Sequence, residues 1–173
     1  MLRFLVFVVA IGEATPALEF AGVALNATPL TAVVERFGQA ERWDTGDAAD
    51  SEHKVCYRIA TDRGLRYVYF IVDELGGGKT VAGVRVSTNG DDRCAVAQHE
   101  NDQLRAALAD YTSWSAADRH LRRLGLVSEK PGQWSRCFRR AIKGQMFDNC
   151  TTVHAEWRRG ALFEAELWVS ETN

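Results

Sequence analysis

Apolar and polar residues alternate with changing period along this chain, and each change of period marks an expected element. Glu19 to Leu25 predicts a short extended lead-in. Leu30, Val33, Val34 and Phe37 then recur at helical spacing. Thr28 is placed to cap that helix, Pro29 stands at its first position, where a missing N–H costs nothing, and Gly38 ends it. Residues 39–53 are polar, with Asp44, Gly46, Asp47, Asp50 and Ser51, and predict a loop.

From Lys54 to Thr88 the period becomes two. Val55 to Ala60, Leu65 to Val72 and Thr80 to Thr88 are separated by Asp62-Arg63-Gly64 and Leu75-Gly76-Gly77-Gly78, which predicts a three-stranded antiparallel meander. One face is expected to collect Val55, Tyr57, Ile59, Tyr67, Tyr69, Ile71, Ala82, Val84 and Val86. The other would carry Cys56, Arg58, Arg66, Val68, Phe70 and Arg85, a set apolar enough to call for a cover or a partner.

A second cycle follows the linker Asn89 to Asp92. Leu104, Ala107 and Leu108 predict a connecting helix over Asn101 to Tyr111, and Ser115 with Asp118 resembles a capping box for a further helix through Leu121 and Leu124 to Gly125. Three strands are expected at Trp134 to Ile142, Gln145 to Trp157 and Leu162 to Ser170. In the last hairpin an odd loop around Arg159-Gly160-Ala161 matches Trp157 with Phe163, Ala155 with Ala165 and Val153 with Leu167, which puts both apolar sets on one side. The peptide Lys54 to Ala60 also returns in altered form as Ser135 to Ala141. The expected fold class is therefore α+β, with two tandem helix-plus-three-stranded-meander units. Residues 18–92 would form the first unit, and residues 93–173 the connecting helix and the second.

The first seventeen residues have the order of a secretory signal: Arg3, the apolar run Phe4 to Ile11, then Glu13 to Ala17 ending on a small residue. That run is shorter than the roughly 20 apolar residues a membrane span needs, and no later stretch approaches that length. An exported protein, periplasmic or secreted, is expected. Export changes the reading of the four cysteines, because oxidation then favours two disulfides. If Lys143-Gly144 is a two-residue hairpin tip, opposed residues have numbers summing to 287, which matches Cys137 with Cys150 at a non-hydrogen-bonded site. Cys56 is left for Cys94.

The formal net charge of −2 conceals a segregation. Residues 18–118 are acidic, 119–160 strongly basic, and 161–173 carry only acids. The basic segment lacks the interleaved aromatics of a nucleic-acid surface, and export argues against that partner; an acidic protein is the electrostatic alternative to a merely solvated cluster.

No complete catalytic motif is present. Leu75 to Thr80 lacks the first glycine of a phosphate loop, having Asp73 there, and is followed by a strand pattern. His99-Glu100 lacks the second histidine of a zinc-protease signature, and His53, His99, His120 and His154 include no pair at ligand spacing, so neither metal nor cofactor is expected. The face of chemical interest is the outward side of the second meander. Alternation places Arg139, Asp148, Thr152, His154, Glu156, Glu164, Glu166 and Trp168 there, beside the expected Cys137–Cys150 bridge. An indole among charges of both signs on a stiffened sheet has the composition of a recognition surface. Trp168 packed under the terminus or against the other repeat is the competing reading. Arg58, Phe70 and Arg85 make an alternative binding face.

Gly22-Val23 and Leu25, a Thr-started helix ending Phe37-Gly38, a polar loop and a three-stranded meander together resemble a periplasmic α+β module. Two groups carry it: the tandem-repeat β-lactamase inhibitor proteins and the small lipoprotein of the outer-membrane β-barrel assembly machinery. Likeness to the inhibitor type spans most of residues 19–170 and includes the doubling and one disulfide per repeat. It implies a protein that binds proteins and is not an enzyme, with no functional residue carried over. The expectation is an exported, non-enzymatic protein-binding module, such as an inhibitor, an immunity-type protein or a cell-envelope adaptor, with another protein of unknown identity as its partner. A small secreted hydrolase without a recognisable motif is the alternative.

Overall fold

The computed structural model describes residues 17–45, 52–73, 79–98, 101–142 and 145–172. The leader, the glycine-rich turn at 75–78, the His99-Glu100 pair and the Lys143-Gly144 tip lie outside them. The described residues form β1 (Glu19–Phe20), β2 (Val23–Ala24), α1 (Leu30–Phe37), β3 (Trp43–Thr45), β4 (Glu52–Thr61), β5 (Gly64–Asp73), β6 (Gly83–Ser87) and β7 (Ala95–Val96). These are followed by α2 (Asn101–Ala109), α3 (Trp114–Arg123), β8 (Val127–Lys130), β9 (Gln133–Ile142), β10 (Gln145–Arg158) and β11 (Ala161–Thr172).

The expectation of two tandem α+β units is overturned. The fold is rich in β-structure, and one sheet runs β3-β4-β5-β6-β11-β10-β9-β8, with β7 added in parallel to β4. The join is the antiparallel pairing of β6 with β11, from Glu164 opposite Ser87 to Trp168 opposite Gly83. An open edge on each meander would expose unpaired N–H and C=O groups. Pairing β6 with β11 removes both edges, so the apolar sets of the two halves fuse into one core.

That core lies on one side of the sheet, where the helices pack. Leu30, Val33 and Phe37 of α1 are buried against it, and Phe37 stacks on Phe70 at 5.5 Å and meets Tyr57 edge-on at 5.6 Å. The Tyr57 hydroxyl donates to the Gly38 carbonyl at 2.8 Å, and burial pushes its pKa up to about 12. Leu104 and Leu108 of α2 and Ala117 and Leu121 of α3 complete the layer.

Several local expectations change. Thr28 does not cap α1: its hydroxyl accepts from the Ala24 N–H at 3.0 Å and closes the preceding turn, leaving Pro29 at the cap position. Ser113, not Ser115, caps α3 by accepting from the Ala116 N–H at 3.2 Å. Asp118 is therefore free of the cap and accepts instead from Trp134 Nε1 at 2.9 Å and Arg122 Nε at 2.8 Å. Gly125, at φ +80°, does end α3: its N–H reaches the Arg122 carbonyl, and the Leu126 N–H reaches that of Leu121, a Schellman closure. The expected loop over 39–53 contains β3, paired with β4 from Trp43 opposite Lys54.

The first meander differs in phase. Asp62-Arg63 is a two-residue turn that sets Thr61 opposite Gly64, so odd-numbered residues of β4 face even-numbered residues of β5. Val68, Phe70 and Val72, not Tyr67, Tyr69 and Ile71, therefore share the core side with Val55, Tyr57 and Ile59. In the last hairpin, Val153 opposes Leu167 and Ala155 opposes Ala165 as expected, but Trp157 opposes Leu162. The tip is an even, two-residue turn with Arg159 and Gly160 both at positive φ, matched to the twist of the strands, and a bulge between Glu156 and Trp157 restores the parity that an odd loop would have supplied.

Candidate functional site

The sheet side away from the helices is divided in two. Over β4 and β5 it is covered by the chain's own residues. Cys94, joined to Cys56, is buried together with Trp43, and Tyr69 meets Trp43 edge-on at 6.3 Å while Arg93 lies over the same indole at 4.6 Å. Gly90 presses so closely on the Tyr67 ring that a Cβ there would come within 1.9 Å of it. The apolar outward residues of the first meander thus find their cover inside the chain. Of the alternative face, Arg58 is exposed and Arg85 partly so, but Phe70 is fully buried on the opposite side, because the even turn shifted β5 by one residue.

Over β6, β11, β10 and β9 the same side is open. Register places Arg139, Asp148, Thr152, His154, Glu156, Glu164, Glu166 and Trp168 all on it, and adds Arg85 from the neighbouring strand. Asp148 lies directly across from Arg139, which donates to it through Nε at 2.7 Å and through a terminal nitrogen at 3.0 Å. That fork holds the Asp148 carboxyl below the usual carboxylate range. Two residues along, Cys150 faces Cys137 with Cα atoms 4.2 Å apart, and the bridge between them is formed.

At the middle of the open face, Arg85 donates to Glu166 and lies 3.9 Å from Glu164. These three residues, with His154 and Glu156, line a shallow polar depression of about 370 Å³. Gln133 and His154 are hydrogen-bonded beside it, and Glu156 accepts from Arg158 Nε at 2.7 Å. Carboxylates outnumber guanidiniums here. The basic segment does not form a matching basic face on this side, since Arg119, Arg122 and Arg123 project from α3.

Trp168 is half-buried, and neither reading of it from sequence was complete. Its ring lies over Gly83, directly opposite on β6, so closely that a Cβ on that glycine would fall 1.9 Å from Cε3. Strand β6 of the first meander thus supplies the platform, and the edge of the indole stays on the open face. Gly83→Ala should therefore dislodge the ring and cost about 1–3 kcal/mol through overpacking. The same change made in a Trp168→Ala background should cost much less. A urea double-mutant cycle with coupling near zero would refute this packing.

Gly83 was missed as a neighbour of the site, and Arg85 was read only as part of the alternative face, because only the β6–β11 join brings them beside Trp168 and Glu166. Small residues in a strand were the available signal. Both disulfides form, and among the described residues no helix is long and apolar enough to cross a membrane and no His, Cys, Asp and Glu cluster could hold a metal. Elsewhere, a depression of about 770 Å³ is lined by Glu19, Asp110, Tyr111 and His120 among others, with His120 Nδ1 3.3 Å from Asp110. Its lining includes no Ser, Thr or Cys nucleophile. No family model, no curated protein and no solved structure matches this chain. The likeness to β-lactamase inhibitor proteins and to the small barrel-assembly lipoprotein thus gains no support from a relative.

Proposed function

We propose that the protein is an exported, non-enzymatic binding module that docks another protein on the open half of its sheet. The observation that supports this reading is the juxtaposition of a half-buried Trp168 with the Arg85–Glu166 and Arg139–Asp148 pairs on a face stiffened by the Cys137–Cys150 bridge. Paired charges around an anchored indole, already held in place before binding, lower the entropy lost on association. The surplus of carboxylates fits a partner offering cations around an apolar contact. An inhibitor, an immunity-type protein or an adaptor would each need such a face. The hydrolase alternative has a histidine–aspartate pair in a depression but no nucleophile beside it.

The test uses oxidised protein immobilised against the exported fraction of the native host, beside a Trp168→Ala/Arg139→Ala variant and an Arg119→Ala/Arg123→Ala variant on α3. A protein retained by wild type and by the α3 variant, but at least tenfold less by the sheet variant, supports the reading. Equal retention by all three moves the site off this face. If nothing is retained while the protein turns over ester or glycoside substrates, the binding role is refuted.

A further inference from the structure

At one end of the sheet, on the helix side and away from the open face, the tip of the β4–β5 hairpin, the end of α2 and the tip of the β10–β11 hairpin enclose a depression of about 540 Å³. Three arginines line it. Arg66 is buried to 7 % exposure, and one terminal nitrogen donates to the carbonyls of Leu65 at 2.8 Å and Arg63 at 3.3 Å. Arg63 reaches the carbonyls of Gly160 at 3.1 Å and Thr112 at 3.4 Å, which ties the two hairpins and the end of α2 together around the cavity. Arg105 Nε donates to the Ala60 carbonyl at 3.3 Å from the other wall.

Burying a guanidinium without an anion is costly, and buried Arg66 donates only to backbone carbonyls, while Arg63 stands exposed at the rim. Arg105 pairs with Asp102 at 3.5 Å, and Asp62 lines the cavity. Three lining guanidiniums are thus set against one lining carboxylate, Asp62, and one outside the cavity, Asp102 on Arg105, which leaves one positive charge. The remaining walls include Leu108 and Leu162, both buried. A planar fork of donors, one surplus positive charge and an apolar wall, in a volume within the ordinary range for small ligands, complement one kind of molecule.

We propose that this cavity binds a small organic monoanion, a carboxylate carrying a short apolar tail, with its head on Arg63, Arg66 and Arg105 and its tail against Leu108 and Leu162. The site is independent of the open face, so the fate of either proposal leaves the other standing.

Octanoate is the probe. Calorimetric titration of the oxidised protein should show saturable one-to-one binding with Kd below about 1 mM. Octan-1-ol, which lacks the charge, and inorganic phosphate, which lacks the tail, should each bind at least tenfold more weakly. The Arg63→Gln/Arg105→Gln variant leaves buried Arg66 in place, and should keep the wild-type circular dichroism spectrum while losing at least tenfold in octanoate affinity. Arg122→Gln on α3, which removes the same kind of charge elsewhere, should bind as wild type does. The proposal is overturned by the absence of saturable binding, by equal affinity for octan-1-ol or phosphate, or by unchanged affinity in the folded double variant. Should that variant unfold, Ala109→Asp, which sets a carboxylate on the exposed part of the cavity lining and leaves the core intact, must weaken octanoate binding at least tenfold or the proposal fails.

Discussion

Replacing Cys56 and Cys94 together by alanine should lower the unfolding free energy by about 4 kcal/mol, against about 3 kcal/mol for the Cys137 and Cys150 pair. Loop entropy sets the order. The first bridge closes a separation of 38 residues and the second a separation of 13, and the cost of an unclosed loop rises with the logarithm of its length. Packing widens the gap. Cys56 and Cys94 are almost fully buried with Trp43, under which Tyr67 and Tyr69 gather, whereas Cys137 is exposed at its sheet face. The first loss should therefore also loosen the cover over β4 and β5 and the parallel pairing of β7. For a chain of this size, the larger effect corresponds to a fall in Tm of about 8–16 °C. Thermal and urea unfolding of the two double variants decides the matter, and a costlier loss at the Cys137–Cys150 hairpin would contradict the account.

The second large effect is expected at Trp134, where alanine should cost about 3–5 kcal/mol. Its side chain is 1 % exposed, meets Trp157 edge-on at 6.2 Å, and donates from Nε1 to Asp118. Trp157 in turn donates to the Tyr111 carbonyl at 2.9 Å, so the two indoles connect β9 and β10 to α3 and to the end of α2. Deleting the first leaves a cavity at the junction of helix and sheet. Phenylalanine at 134 should fill most of that space and lose mainly the hydrogen bond, about 1–2 kcal/mol, since Asp118 keeps Arg122. Equal losses for the two substitutions would show that the hydrogen bond, not the volume, carries the contribution.

How the face could be read in advance depended on how each hairpin turns. In the second meander, Cys137 opposite Cys150 followed from a two-residue tip, and Val153 opposite Leu167 from the need to keep apolar residues on one side; the register shows both. The residues proposed for recognition fell together for that reason. In the first meander, the pattern around Asp62-Arg63-Gly64 predicts odd residues of both strands on a common side. The turn uses only two residues, and the parity reversed, so Phe70 was assigned to the wrong face and Tyr69 to the core. Apolar residues on both faces of β5 left nothing in the pattern to choose between phases.

Local signals also competed for the same atoms. Thr28 and Ser115 both satisfied the composition of a helix cap, but one hydroxyl closed a turn and the neighbouring Ser113 took the other role. Asp118, read as a capping acid, serves Trp134 sixteen residues away, a contact that only tertiary packing can create.

The sequence by itself determined the periods of the elements, the even count of cysteines, the pairing of Cys137 with Cys150 and the set of polar residues that share one side of β9, β10 and β11. Those properties depend on neighbours along the chain or on the arithmetic of a single hairpin. Tertiary structure alone decided that the two meanders form one sheet, that Cys94 folds its segment over the outer side of β4 and β5, and that Trp168 rests on Gly83. The physical reason is the β6–β11 pairing. It is made by backbone groups that every strand edge offers, and what selects it is the shared burial of two apolar faces far apart in sequence.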